Sequence, residues 1–167
     1  YGEEFRLANY NDWGYNDYED LMAGVDKTIE QGMVHPDSLC VTGWSYGGFM
    51  TSMIITKTNR FKAAMVGAGV TNLVSMNGTT DIPGLIIDSF GGDFWDQMES
   101  YQKHSAMFNI KGVTTPTLIQ QGDADLRAEH LERHGDDDGV EAVEGHEVLP
   151  LLEDAGRIDV EVAPEGL

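Results

Sequence analysis

Apolar and polar positions follow two different rhythms along this chain. Tyr18, Leu21, Met22, Val25 and Ile29 recur at three- and four-residue spacing, which predicts an amphipathic helix. Asn16 offers a capping side chain before it, Glu19 stands three residues on, and Gly32 is the stop. His35-Pro36-Asp37-Ser38 is turn chemistry and leads into a short apolar run, Leu39-Cys40-Val41-Thr42. Phe49 to Thr56 is helix-like again, and Asn59-Arg60 breaks it. Ala63 to Ala68 then reads as a short buried strand of small residues. Thr117 to Gln121 is another strand, entered through Pro116 and left through Gly122-Asp123-Ala124-Asp125. Beyond it, Leu149 to Ala155 predicts a short helix, and Ile158 to Val162 alternates with strand period. Strands alternating with helices predict a parallel α/β sheet. No internal repeat is present.

Between the first strand and the helix after it lie Gly43-Trp44-Ser45-Tyr46-Gly47-Gly48, a G-x-S-x-G-G element. A serine on a sharp strand-to-helix turn is forced into a strained backbone position that lifts its hydroxyl clear of the sheet. Glycines two before and two after let the neighbouring chains pass without a Cβ clash. The following helix aims its N-terminal amides at the place where negative charge develops during acyl transfer.

Composition narrows the partners. A chain of 167 residues is one domain by length. Its net charge of −19 argues against nucleic acid or an anionic membrane as a partner. No apolar stretch nears the roughly 18 residues of a membrane span, and nothing at Tyr1 reads as a signal peptide, which leans the reading towards the cytoplasm. The single cysteine, Cys40, forms no internal disulfide or metal cluster and reads as a buried small hydrophobe. No cofactor or metal is implied. Residues 128–167 hold 13 acidic side chains against two arginines and no aromatic residue, so the Asp136-Asp137-Asp138-Gly139 run reads as a solvated loop.

A serine nucleophile needs a base, and the base an orienting acid. On an α/β hydrolase scaffold the chain order is Ser, Asp or Glu, then His. Asp125 fits the acid, about 80 residues after Ser45 in the loop leaving an apolar strand; Asp123 is the alternative. The first oxyanion donor is expected to be the backbone N–H of Tyr46. His35 and His104 precede Asp125, which is the wrong order, while His130 and His134 follow it too closely.

These residues make the chain recognisable. Gly-Trp-Ser-Tyr-Gly-Gly-Phe-Met-Thr-Ser at 43–52, with Asp17-Tyr18-Glu19-Asp20-Leu21-Met22-Ala23-Gly24 upstream, closely resembles the catalytic domain of prolyl oligopeptidase-family serine peptidases. The likeness continues through Asn59 to Ala64, Gly69 to Leu73, Phe90-Gly91-Gly92 and Asn109 to Ile119. It covers roughly residues 1–127, leaving 128–167 as a divergent acidic tail. The resemblance implies a partial α/β hydrolase domain, truncated at its N-terminus, from a family that carries a β-propeller ahead of that domain and cleaves short peptides. It implies Ser45 as nucleophile, Asp125 as triad acid, Val70 and Leu73 lining the pocket for the residue before the cleaved bond, and Arg127 reaching a substrate carbonyl. The tyrosine that completes the family's oxyanion hole falls upstream of Tyr1.

Three positions depart from the family pattern. Gln121-Gly122 stands where the family has His-Gly, and Ala128-Glu129 where it has Val-Pro. The family's catalytic histidine ends a Pro-x-Glu-Gly-His element, and Pro164-Glu165-Gly166-Leu167 puts leucine there. His146, in Glu144-Gly145-His146, is the tentative substitute; in the competing reading it begins the Leu149–Ala155 helix. The implied function is peptide-bond hydrolysis through an acyl-enzyme on Ser45. The alternatives are a carboxylesterase on the same fold or an inactive fragment lacking the base. A final expectation concerns the strand before Ser45: with its second partner upstream of Tyr1, it shows an unpaired edge, apolar on both faces, open to self-association.

Overall fold

In a computed structural model of the chain the described residues are 2–122, 125, 127 and 159–160. Helix α1 is a single turn, Glu3–Arg6, and α2 runs Asn16–Glu30. Strand β1 (Cys40–Trp44), helix α3 (Tyr46–Lys57) and strand β2 (Ala63–Gly67) form the first crossover unit. Three short helices follow, α4 (Leu73–Thr79), α5 (Pro83–Phe90) and α6 (Met98–Lys103), before β3 (Thr117–Gln120) and β4 (Asp159–Val160). The strands lie in the order β1-β2-β3-β4 and all pair in parallel. This is the α/β sheet that the alternating pattern predicts.

Register decides where the chemistry can gather. Trp44 pairs with Gly67, and Gly67 with Gln120, so the three strands end level with one another. Ser45, Ala68 and the loop after Gln120 therefore leave the sheet side by side at its C-terminal edge, where parallel α/β sheets bind their ligands. Two backbone bonds hold that rim together: Ser45 N–H to the Gly67 carbonyl at 2.9 Å, and Ala68 N–H to the Gln120 carbonyl at 2.8 Å.

Helix α3 is the centre of the fold. Residues Gly48 to Ile55 are all buried, as expected of a helix apolar on every side. One end packs with Trp13, Leu73, Ile86, Phe90 and Tyr101. Its other face, through Ile54, meets Met22, Leu39 and Phe61. Burying each of these large side chains removes roughly 1.5–3 kcal/mol of apolar exposure to water.

Several sequence expectations change here. Asn16 is the first helical residue of α2, not its cap; its N–H donates to Asp12 Oδ2 at 2.9 Å. Gly14, at φ 82°, turns the chain so that Asp12 reaches back. Gly32 does end the helix, in the left-handed region at φ 69°. Its N–H donates to Ile29 and that of Met33 to Thr28, the paired bonds of a Schellman motif. Leu21 is 46% exposed instead of facing the core. Cys40 is exposed instead of buried, and Thr42 and Trp44 are exposed with it. All three lie on one face of β1, and only the other face, through Val41, packs inward. Among the described residues β1 is the sheet edge, so the expected unpaired edge is present there.

Candidate active site

Ser45 sits between β1 and α3 with φ 57° and ψ −118°. An L-residue with a side chain avoids that conformation, which costs on the order of 1–3 kcal/mol and persists only where the surroundings impose it. The surroundings here are steric. A Cβ on Gly43 would lie 2.2 Å from the Gly47 carbonyl oxygen, and one on Gly48 would lie 2.3 Å from that of Gly67. Strand and helix can therefore approach only because the glycines are bare. The Phe49 N–H closes the turn on the Ser45 carbonyl at 2.9 Å. Ser45 itself is exposed.

The serine opens into a cavity of about 310 Å³ whose wall includes Trp13, Trp44, Tyr46, Val70, Asp125 and Arg127. Val70 lies on this wall with Met76, Ile82 and Leu85, while Leu73 is 0% exposed in the core. A helix turns its residues through about 100° each, so the family segment alone does not say which one faces the cavity. Ala68 also lines it, at φ 41°.

Asp125 is held within its loop. Its Oδ2 accepts from Gln121 Nε2 at 3.1 Å, its Oδ1 from the Arg127 N–H at 2.9 Å. Gln121, the departure from the family's histidine, thus acts as a donor that orients the acid. Arg127 bonds through Nε to both oxygens of Asp81, at 3.3 and 3.4 Å. Asp81 precedes α5, so this exposed pair ties the acid loop to the segment bearing Ile82 and Leu85. Asp81 and the four apolar wall residues Trp13, Met76, Ile82 and Leu85 carried no local sequence signal.

The base is a separate matter. His146 lies outside the described residues, as do Asp123, His130, His134, Leu167 and the predicted helix over 149–155. Of the described histidines, His35 caps a 3-10 turn by accepting from Asp37 N–H. His104 is 1% exposed, with Nδ1 2.7 Å from the Ser100 carbonyl. Burial pushes its imidazole below the usual value, with smaller contributions from Lys103 and Lys57 in the same direction. Neither lines the cavity at Ser45. Among the described residues no cluster of three His, Cys, Asp or Glu side chains could hold a metal.

Tyr46 is the first residue of α3, where backbone N–H groups have no partner within the helix. Its amide adjoins Ser45, so it can stabilise an oxyanion formed there. Its phenol is well above the ordinary value, pushed there by burial first and then by Asp17.

Comparison with known proteins agrees with this geometry. Residues 1–132 match the prolyl oligopeptidase family. The uncharacterized peptidase YuxL of Bacillus subtilis is 40% identical over 129 residues, covering 76% of this chain and 20% of that protein. The acylamino-acid-releasing enzyme of Arabidopsis thaliana is 33% identical over 136 residues, covering 76% and 18%. The Pyrococcus horikoshii acylaminoacyl peptidase superposes with a TM-score of 0.80 at 24% identity, covering 99% of this chain and 26% of that one; it shows the α/β hydrolase fold. The chain thus spans about a fifth of the length of these curated relatives. It belongs to the prolyl oligopeptidase family of serine peptidases.

Proposed function

We propose that this member of the prolyl oligopeptidase family carries the nucleophile and acid of a serine peptidase, and that it cleaves peptides through an acyl-enzyme on Ser45. One observation carries the reading: an exposed serine, held at φ 57° on a strand-to-helix turn, shares a cavity with Asp125 and Arg127. Ser45 Oγ attacks the scissile carbonyl, its proton passes to an imidazole oriented by Asp125, and the Tyr46 N–H takes the developing charge. His146 is the proposed imidazole. Collapse of the tetrahedral intermediate expels the amine, and water then hydrolyses the ester.

The cavity wall supports an apolar side chain before the cleaved bond. Val70, Met76, Ile82 and Leu85 offer no charge to pair, and Arg127, which lines the same cavity, is the residue proposed to meet a peptide carbonyl. Peptidyl nitroanilides differing in that residue test both points. Phenylalanine or leucine substrates are expected to exceed aspartate or lysine ones. Ser45→Ala should remove turnover down to the roughly 10³–10⁴ over water that survives loss of a triad member, and His146→Ala should do the same. Turnover unaffected by Ser45→Ala would exclude the reading.

A further inference from the structure

We propose that Asp17 is a positioning residue for the reaction at Ser45, acting through the side chain of Tyr46. The inference rests on the serine hydrolase reading above and adds a residue to it. Tyr46 has two roles that meet in one residue. Its backbone N–H borders the nucleophile, and its phenol reaches 29 positions back along the chain to donate to Asp17 Oδ2 at 2.5 Å.

Asp17 is itself fixed. The same Oδ2 accepts from Gly14 N–H at 3.1 Å, and Oδ1 accepts from Tyr18 N–H at 2.8 Å. Gly14 and Asp17 lie at the start of α2, so the phenol is tied to the helix entry and not to a loose surface group. The Trp13 ring stands edge-on to Tyr46 with centroids 5.2 Å apart, and Phe49 lies 5.3 Å away on its own helix. The hydrogen bond to Asp17 and the two rings hold the side chain against the turn.

That fixation matters because the backbone it belongs to is strained. Ser45 holds φ 57°, and its main chain is tied down by two bonds, its N–H to Gly67 and its carbonyl to Phe49. The Ser45 carbonyl and the Tyr46 N–H share one planar peptide unit, so the Phe49 bond orients that amide. A tether on the Tyr46 side chain adds a second constraint, because it holds the Cα at the far end of that unit and so resists opening of the turn. The ring also belongs to the walls of both cavities flanking the turn, so a displaced ring would change the catalytic cavity as well.

The test uses the full chain with Asp17→Ala, Asp17→Asn, Tyr46→Phe and the Asp17→Ala/Tyr46→Phe pair. Asn retains an oxygen that accepts the phenol proton, so it serves as the rescue. Saturation kinetics with a fluorophosphonate should show the maximal rate of Ser45 modification falling about 10- to 100-fold in Asp17→Ala and Tyr46→Phe. That is short of the loss expected when an oxyanion donor is removed outright. Probe affinity should stay within about twofold, Asp17→Asn should recover most of the rate, and the double variant should be no worse than either single one.

A second measurement needs no reaction at Ser45. Hydrogen exchange at the Ser45 and Phe49 amides reads opening of the turn. It should quicken in Asp17→Ala and Tyr46→Phe and not in Asp17→Asn, with the β2 amides unchanged. Unaltered exchange at Ser45 and Phe49, or an equal rise throughout β2, would overturn the proposal. Should the unmodified chain resist the probe altogether, the serine hydrolase reading falls, and exchange alone decides whether Asp17 braces the turn.

Discussion

Tyr46 separates two hollows, and their contrast is instructive. On one side lies the cavity at Ser45, about 310 Å³. On the other is a groove of about 660 Å³ along the free edge of β1, walled by α2, α3 and β1 through Leu21, Met22, Val25, Val41, Met50 and Ile54. Ser45 does not line the larger hollow. What marks the smaller one is strained backbone: Ser45 and Ala68, two of the three non-glycine residues with positive φ among those described, both line it. What marks the groove is a strand with one side unpaired. Stored strain identifies the place where chemistry can occur, and unpaired backbone identifies the place where another chain can add. Size distinguishes neither.

The largest effect is expected at Gly43. In Gly43→Ala the new methyl would sit 2.2 Å from the Gly47 carbonyl oxygen, a main-chain atom that cannot rotate away. The turn must open, at a cost of about 3 kcal/mol or more. A thermal melt should show the loss, together with loss of probe labelling at Ser45. A variant that melts and labels like the parent would mean that glycine contact is not what sets the turn.

The next effect belongs to the groove. We propose that the isolated chain self-associates through the β1 edge. In Cys40→Lys a charge is placed on an exposed edge position, a device that opposes strand addition. Size-exclusion chromatography should shift from oligomer towards monomer, with Ser45 labelling retained. A monomeric parent would break this half of the comparison and leave the groove inert.

The smallest effect reaches the cavity at Ser45 from behind. Its wall residue Trp13 packs edge-on against Phe90, which in turn packs against His104. Burial holds the folded-state value of His104 below its ordinary 6.5, so the unfolded chain binds the proton more readily. The associated stability is complete above about pH 6.5 and is lost as pH falls through the folded-state value. Melting curves at descending pH should therefore fall more steeply for the parent than for His104→Asn. Parallel slopes would mean that His104 carries none of the acid sensitivity.

The turn at Ser45 was legible in the sequence because its information is local: three glycines, a serine and a change of rhythm within six residues. Strands β2 and β3 were legible because each is a short apolar run closed by turn residues. Burial at β1 was not, since the exposure of Cys40 and Thr42 depends on what packs over their face of the sheet. Helices α4 to α6 have six to eight residues each, too short for a period to declare itself, so nothing in the sequence marked Met76 or Leu85 as facing the cavity. The Asp17–Tyr46 bond spans 29 positions and the Arg127–Asp81 pair 46. Only the folded chain brings such residues together. Asp125 came from chain order and its place after an apolar strand, Arg127 from family likeness, and their shared cavity with Ser45 from the register of three parallel strands.

The central claim is that Ser45 is a nucleophile aimed at the Tyr46 amide. The structure of the chain after reaction with a fluorophosphonate tests it most directly. The account predicts phosphorus on Ser45 Oγ and a phosphonyl oxygen about 2.7–3.1 Å from the Tyr46 nitrogen. An adduct on another serine, or a phosphonyl oxygen turned away from Tyr46, would contradict it.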